Sequence, residues 1–173
     1  AGDDRRIGII NLDAHLDMRL SERPSSGTPF AQIERSCRAH GKSFRYLCAG
    51  VAETANTAGL LSHAGSCGAQ IILDEALQPW CFGSAQAQVQ SFLDGCDLVY
   101  LSIDMDVLPG GQAPGVSAPA AFGVPLNVLE VLIDQIRASG KLALADLAEF
   151  NPAFDQDRIT ARVAARLIHR LLK

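Results

Sequence analysis

RRIGIINLDAHLD, residues 5–17, joins a short Ile-rich run to a polar end. Residues 5–12 are apolar on both sides, which is typical of a strand with helices on both faces of its sheet. Four similar runs follow, at residues 43–51, 69–73, 96–103 and 141–150. Segments of helical character alternate with them, at residues 28–40, 54–63 (which also fits a loop), 84–93, 126–139 and 155–172. This alternation predicts an α/β fold with a parallel sheet and right-handed crossovers.

The composition restricts the class of protein. The 173 residues include 15 basic and 19 acidic side chains, for a formal charge of −4, and 48% are hydrophobic, which fits one globular domain. The acidic balance, without a run of Lys or Arg, argues against nucleic acid as a partner. No apolar stretch reaches the roughly 18 residues of a membrane span. The five cysteines include no CxxC pair, which indicates reduced, mostly buried thiols in a cytoplasmic protein.

The polar end of the first run contains Asp13, His15 and Asp17. Residues i, i+2 and i+4 of an extended backbone point to one side, so these side chains converge if the chain stays extended past the strand. Such a group is costly unless a cation joins it. The alternative is a capping or turn cluster on a solvated loop.

A second acidic pair, Asp104 and Asp106, directly follows the run at residues 96–103. Because parallel strands end at the same edge of a sheet, we expect both clusters on one rim. Four carboxylates and one imidazole can hold two divalent metal ions about 3.5 Å apart, and mostly oxygen donors favour Mn²⁺ over zinc. A water that bridges two such ions becomes a nucleophile near neutral pH.

Two further features belong to the same edge. Residues 107–125, VLPGGQAPGVSAPAAFGVP, form a long loop between a core strand and a helix, which predicts a functional rim or lid rather than a linker. The run at residues 141–150 ends in Glu149, which adds one more carboxylate.

Three motifs together resemble the ureohydrolases, the family of arginase, agmatinase and formimidoylglutamase. They are LDAHLD at residues 12–17, SIDMD followed by APGVSAP at residues 102–119, and AEFNP at residues 148–152, in the order and spacing of that family. The resemblance implies a dimanganese enzyme on a three-layer α/β/α, arginase-like fold with an eight-stranded parallel sheet.

Several details resemble formimidoylglutamase within that family. Arg19 stands where arginases place an Asn, and residues 25–30, SSGTPF, resemble its SGTPF stretch and lack the His that arginases carry nearby. Leu108 precedes proline where ureohydrolases commonly read DxDxxDP. Residues 155–167 also resemble the C-terminal helix of this subgroup.

The resemblance assigns a role to each candidate ligand. Asp13 and Asp104 would bridge two Mn²⁺ ions per full-length subunit. His15 and Asp106 would complete one metal site, and Asp17 would serve the other.

It also implies catalytic and substrate-binding residues. Asp17 would hydrogen-bond the metal-bridging hydroxide and relay its proton, and Glu149 would accept hydrogen bonds from a formimidoyl group. Arg19 would bind a substrate carboxylate. Three neighbouring residues would assist through hydroxyl and backbone contacts: Ser26, Gly27 and Thr28.

The implied reaction is hydrolysis of N-formimidoyl-L-glutamate, a small amidine with two carboxylates, to L-glutamate and formamide, a step of histidine degradation. An agmatinase or arginase activity is an alternative. A second alternative is a truncated, non-catalytic fragment that binds metal or partner chains.

The resemblance further predicts that residues 1–173 are one arginase-like domain, the C-terminal part of a longer chain. The family takes its first metal ligand from a His in an upstream Gly-rich segment, and the five predicted strands fall short of eight. We therefore expect the isolated chain to bind Mn²⁺ weakly and to lack appreciable activity. The full-length form is expected to be a homo-oligomer.

Overall fold

Five parallel strands form one sheet in the computed structural model, which describes residues 5–173. In chain order they are β1 (Ile7–Leu12), β2 (Tyr46–Val51), β3 (Gln70–Leu73), β4 (Leu98–Asp104) and β5 (Leu142–Ala148). Their order across the sheet is β3-β2-β1-β4-β5, and every neighbouring pair is parallel. The predicted strands are confirmed, each to within three residues at its ends.

Helices cover the sheet from both sides. They are α1 (Pro29–Ala39), α2 (Ala58–Ser66), α3 (Gly83–Asp94), α4 (Leu126–Ala138) and α5 (Ile159–Leu171). The ambiguous segment at residues 54–63 contains the start of α2, because the Thr57 side chain caps this helix by accepting a hydrogen bond from the backbone N–H of Leu60.

Two separate cores flank the sheet. Ile10 and Leu12 of β1 pack into the core that contains α3, α4 and α5, whereas the intervening Ile9 packs into the core that contains α1 and α2. This alternation follows from the two-residue period of a strand. The three-layer α/β/α architecture is therefore confirmed.

The expectation that helices cover both faces of every strand is wrong for β5. Ala145 and Leu147 pack towards the core of α4 and α5, but the Leu144 side chain is 61% exposed. Within residues 5–173, β5 is an edge strand whose one strand neighbour is β4, and its second face has no helix against it.

The chain reverses its winding direction between β1 and β4. After β3 it returns to the other side of β1, so β1 and β4 are neighbours although they are far apart in sequence. In open parallel sheets, ligands bind beyond the carboxyl ends of the strands at such a reversal. The two acidic motifs follow these two strands.

Two surface properties complete the description. No helix of residues 5–173 is both long enough and apolar enough to cross a membrane. All five cysteines are free thiols, but the expectation that most are buried is wrong, because Cys48 and Cys96 are buried while Cys81 is exposed and the other two are partly exposed.

Candidate metal centre

The segment after β1 turns instead of continuing as a strand. The carboxylate of Asp13 accepts a hydrogen bond from the backbone N–H of His15 (Oδ1 to N, 2.6 Å), and Asp17 adopts a left-handed backbone conformation with φ of 50°. The expectation of extended backbone through residue 17 is therefore wrong. A tight turn nevertheless brings the three side chains together, and a non-glycine residue in this conformation is a strained feature that is frequent at functional sites.

The segment after β4 also turns. Asp104 caps a short 3₁₀ helix, Met105–Val107, because its Oδ1 atom accepts a hydrogen bond from the backbone N–H of Asp106 at 2.9 Å. Capping uses one of the four lone pairs of this carboxylate. The capping interpretation and the ligand interpretation are thus compatible for Asp104.

The five predicted ligands form two overlapping groups. Asp13, His15 and Asp106 have one ligand atom each within 4.8 Å of one another, and so do Asp13, Asp17 and Asp104. The Nδ1 atom of His15 lies 3.0 Å from Oδ2 of Asp106 and 3.6 Å from Oδ1 of Asp13. Asp13 is the member shared by both groups, whereas Asp104 belongs to the second alone.

Three carboxylates of the cluster are withdrawn from water, which argues against a fully solvated loop, whereas His15 and Asp17 are partly exposed. Asp13, Asp104 and Asp106 are only 1%, 4% and 2% exposed. Burial is the largest cause that raises the pKa of Asp13 to about 6, of Asp17 to about 7 and of Asp104 to about 9, and the neighbouring carboxylates add to it.

The pKa of the His15 imidazole is also raised, which here favours the charged form. The contact with Asp106 at 3.0 Å and the nearby Asp13 carboxylate raise the pKa of His15 to about 10, so that in the absence of a cation it is a protonated partner of the carboxylates. A metal ion that binds through a ring nitrogen of His15 must displace the proton on that nitrogen.

One atom of the cluster has room for a further partner. The Oδ1 atom of Asp106 is buried and has no hydrogen-bond partner, although buried carboxylate oxygens are nearly always paired. A donor set of four carboxylates and one imidazole suits hard or borderline divalent ions such as Mn²⁺. The residues present therefore fit a pair of divalent cations.

A polar cleft of about 200 Å³ opens above the cluster. Four predicted ligands line it, together with six residues from the surrounding loops: Arg19, Ser26, Gly27, Ser117, Ala118 and Glu149. The long loop at residues 107–125 contributes to this rim, as expected, and its buried Ala113 and Val116 pack it firmly against the domain.

Arg19 lies against a glycine at the mouth of the cleft. Its backbone N–H donates to the carbonyl of Gly27 at 2.9 Å, and a Cβ atom on Gly27 would stand 3.1–3.3 Å from the Cδ, Nε and Cζ atoms of the Arg19 side chain. The missing side chain of Gly27 thus leaves room for the guanidinium group to lie beside the cleft.

Glu149 also lines the cleft. It follows β5 in a left-handed conformation with φ of 62°, and the hydroxyl of Ser117 donates to its Oε2 atom at 3.3 Å. The loop of Ser117 is fixed by Gly115, whose N–H donates to the Thr160 hydroxyl at 2.7 Å and whose carbonyl accepts from the N–H of Asn151 at 2.8 Å.

Comparison with known proteins agrees with this geometry. The family model described as "Arginase family" matches residues 1–173. The chain belongs to the arginase family. It is 56% identical to a formimidoylglutamase of Aeromonas hydrophila over 97% of this chain and 54% of that protein, and 53% identical to one of Chromobacterium violaceum over 96% and 54%. The chain spans about half the length of the curated relatives it matches.

Solved structures of arginase-family members share the fold. The crystal structure of formimidoylglutamase from Bacillus subtilis superposes with a TM-score of 0.84 at 24% identity, covering 97% of this chain and 52% of that one. A Trypanosoma cruzi formiminoglutamase variant crystallised with Mn²⁺ gives 0.83 at 24% identity, over 96% and 55%. Arginase from B. subtilis gives 0.79 at 23% identity, over 96% and 62%.

The structure brings the sequence-predicted residues to the cleft or, in the case of Asp13, to the cluster below it, with the exception of Thr28. Thr28 is buried in the turn before α1, where its hydroxyl bonds the backbone of Ser25 and accepts from the side chain of Gln32. Ser117 lines the cleft but was missed as an individual residue. The APGVSAP motif predicts that this loop lies at the site. The motif alone does not indicate which of its side chains contacts Glu149.

Proposed function

We propose that the protein is a hydrolase of C–N bonds in linear amidines, which converts N-formimidoyl-L-glutamate to L-glutamate and formamide with two Mn²⁺ ions. The observation that carries this proposal is the buried cluster of four carboxylates and one imidazole, which contains an unpaired Asp106 oxygen and opens into a cleft bordered by Arg19. The identities above 50% with proteins named formimidoylglutamase support the choice of substrate.

Two overlapping groups of residues would hold the ions. Asp13 would be shared, His15 and Asp106 would complete one site, and Asp17 with Asp104 would complete the other. Asp104 is also proposed to serve both ions, whereas in the structure it belongs to one of the two groups. When bound, the two ions supply activation of a water nucleophile.

The side chains around the cleft would then orient the amidine and move its protons. Asp17 lines the cleft beside the proposed metal sites, and its carboxylate would accept a proton and pass it to the departing amine. Glu149 would accept hydrogen bonds from the N–H groups of the formimidoyl carbon, and the Ser117 hydroxyl would orient its carboxylate.

The bond changes balance as a simple hydrolysis. The water oxygen bonds to the formimidoyl carbon, and the bond from that carbon to the glutamate nitrogen breaks. One of the two water protons goes to the glutamate nitrogen, and the other goes to the remaining nitrogen of the formimidoyl group. Glutamate leaves with a free amine and the one-carbon unit leaves as formamide.

Residues at the rim of the cleft would bind the glutamate moiety of the substrate. Arg19 would pair with one carboxylate of the glutamate moiety, because its fork of N–H donors matches a carboxylate. Ser26 and Gly27 line the same side and would contact the substrate through a hydroxyl and the backbone. Thr28 is proposed to act only indirectly, by shaping the turn that carries them.

Three broader predictions accompany this function. Residues 1–173 are proposed to form one domain, of which residues 1–4 lie outside the described part. A cytoplasmic location in histidine degradation agrees with five free thiols. Assembly into a homo-oligomer stays a prediction.

The test compares three substrates. The protein, expressed from its native reading frame and loaded with Mn²⁺, is assayed with N-formimidoyl-L-glutamate, L-arginine and agmatine, while formamide and urea are measured. We expect the specificity constant to be highest for N-formimidoyl-L-glutamate. A higher value for urea release from arginine or agmatine would refute the substrate assignment while leaving the family unchanged.

A further inference from the structure

A neutral, buried side chain bonds the carboxylate that both metal groups share. Asn11 lies in β1, two positions before Asp13, which directly follows the strand. Asn11 is 1% exposed, and its Nδ2 atom donates to Oδ2 of Asp13 at 2.8 Å. No role was predicted for Asn11 from the sequence.

The amide of Asn11 is itself held by a fixed hydroxyl. Its Nδ2 atom also lies 3.1 Å from the hydroxyl of Tyr46 on β2, and this hydroxyl donates to the backbone carbonyl of Leu16 at 2.9 Å. The Tyr46 ring is buried and stacks on Phe30 and Phe44, with centroids at 4.6 and 5.6 Å. Tyr46 therefore connects Asn11 to the turn that carries His15 and Asp17.

The bonds to Asp13 account for half of its hydrogen-bonding capacity. A carboxylate has two lone pairs on each oxygen. One on Oδ1 is taken by the N–H of His15 and one on Oδ2 by the amide of Asn11. Each oxygen keeps one lone pair, which suits a carboxylate shared by two cations. Asn11 provides its hydrogen bond without adding a fifth negative charge to the cluster.

The residue beside Asn11 on the neighbouring strand β4 has a different hydrogen-bond partner. Ser102 pairs with Asn11 across β1 and β4 and precedes Asp104 by two residues. Its hydroxyl donates to Oδ1 of Asp146 on β5 at 2.8 Å. The bond from Asn11 to Asp13 is thus a specific feature of β1, and Ser102 is a matched control in the same row of the sheet.

We infer that Asn11 is a positioning residue for Asp13, held in place by the Tyr46 hydroxyl, and that this pair orients the shared carboxylate towards two divalent cations. The inference rests on the proposed function in one respect, namely that the cluster binds Mn²⁺. Hydrogen bonds from outer residues to metal ligands typically change metal affinity about tenfold to 100-fold.

The experiment measures Mn²⁺ binding, not turnover. Metal-free protein expressed from its native reading frame is titrated with Mn²⁺ in a calorimeter, as the unmodified form and as Asn11→Leu, Tyr46→Phe and Ser102→Ala. We expect Asn11→Leu to weaken binding by about tenfold to 100-fold. Tyr46→Phe, which keeps the stacked ring, should weaken it by roughly two- to tenfold, as for the loss of one hydrogen bond. Ser102→Ala should stay within about twofold, well below those changes.

Circular dichroism and thermal melting identify variants that remain folded. If Asn11→Leu fails to fold, Tyr46→Phe decides the inference alone. Unchanged affinity in the folded variants, or an equal loss in Ser102→Ala, would overturn the positioning role without affecting the proposed function. Absence of Mn²⁺ binding by the unmodified protein would overturn both, and that outcome is distinguishable because it does not depend on any substitution.

Discussion

Replacing Gly115 by Ala tests whether the rim of the cleft is held by a close backbone contact. A Cβ atom at this position would lie 2.7 Å from Cβ and 2.9 Å from Cα of Asp155, and 2.9 Å from the hydroxyl oxygen of Thr160. Asp155 cannot easily move away, because its carboxylate caps α5 by accepting from the N–H groups of Thr160 and Ala161 at 2.9 and 3.0 Å. The loop must therefore shift instead.

The size of the effect follows from these contacts. Overpacking of this kind costs about 1–3 kcal/mol, and loss of the hydrogen bond from Gly115 to the Thr160 hydroxyl adds about 1 kcal/mol. For a domain of this size, each kcal/mol lowers the melting temperature by about 2–4 °C, so Gly115→Ala should lower it by roughly 5–15 °C. The shifted loop also carries Ser117 away from Glu149, which should reduce the specificity constant about fivefold.

The assay combines thermal melting, formamide release and Mn²⁺ binding. Gly111→Ala is the matched control, because it lies in the same loop and a Cβ atom there meets nothing within 4 Å. The control should keep its melting temperature or gain slightly, by up to about 1 kcal/mol from the stiffer unfolded chain. Mn²⁺ affinity should not change in either variant. Equal melting temperatures for the two variants would refute this account of the loop.

Three further results are expected. Asp106→Asn keeps the shape of the side chain but removes its charge, so calorimetry should show Mn²⁺ affinity reduced by more than about tenfold. Arg19→Ala should lower the specificity constant for N-formimidoyl-L-glutamate about ten- to 150-fold, mainly through KM, whereas the exposed Arg23→Ala from the same loop should not. Because the pKa of Asp104 is raised to about 9 and that of His15 to about 10, Mn²⁺ must displace protons from the metal-free protein. Its Mn²⁺ affinity should therefore rise between pH 6 and 9, with proton release detectable in buffers of different ionisation enthalpy. The metal-free protein should lose stability over the same pH range, since the folded state binds more protons than the unfolded state.

The strands and helices were predictable because local pattern and burial agree along most of the chain. Residues 5–12 and 96–103 are apolar on both sides, and both strands are covered on both faces. Leu144 on β5 has the same apolar character but is exposed, because coverage of an edge strand depends on which elements lie beside it. Which elements lie beside a strand is decided by the tertiary structure, so it cannot be read from the residues of the strand alone.

The site was predictable in its residue types and its place, but not in its local geometry. The positions of Asp13 and Asp104 after two strands were enough to place both at one edge of the sheet. The left-handed turn at Asp17 was not predictable, because an Asp tolerates that conformation without requiring it. The contacts of Ser117 and Asn11 depend on partners brought together by the fold.

The proposed two-metal hydrolysis is tested most directly by following formamide release while Mn²⁺ is returned to the metal-free protein, expressed from its native reading frame. With N-formimidoyl-L-glutamate as substrate, we predict no release before Mn²⁺ is added and a rise that ends when two ions are bound per chain. Asp106→Asn should release little formamide at the same Mn²⁺ concentrations. Full activity in the metal-free protein, or an undiminished rate in Asp106→Asn, would contradict the proposed role of this cluster.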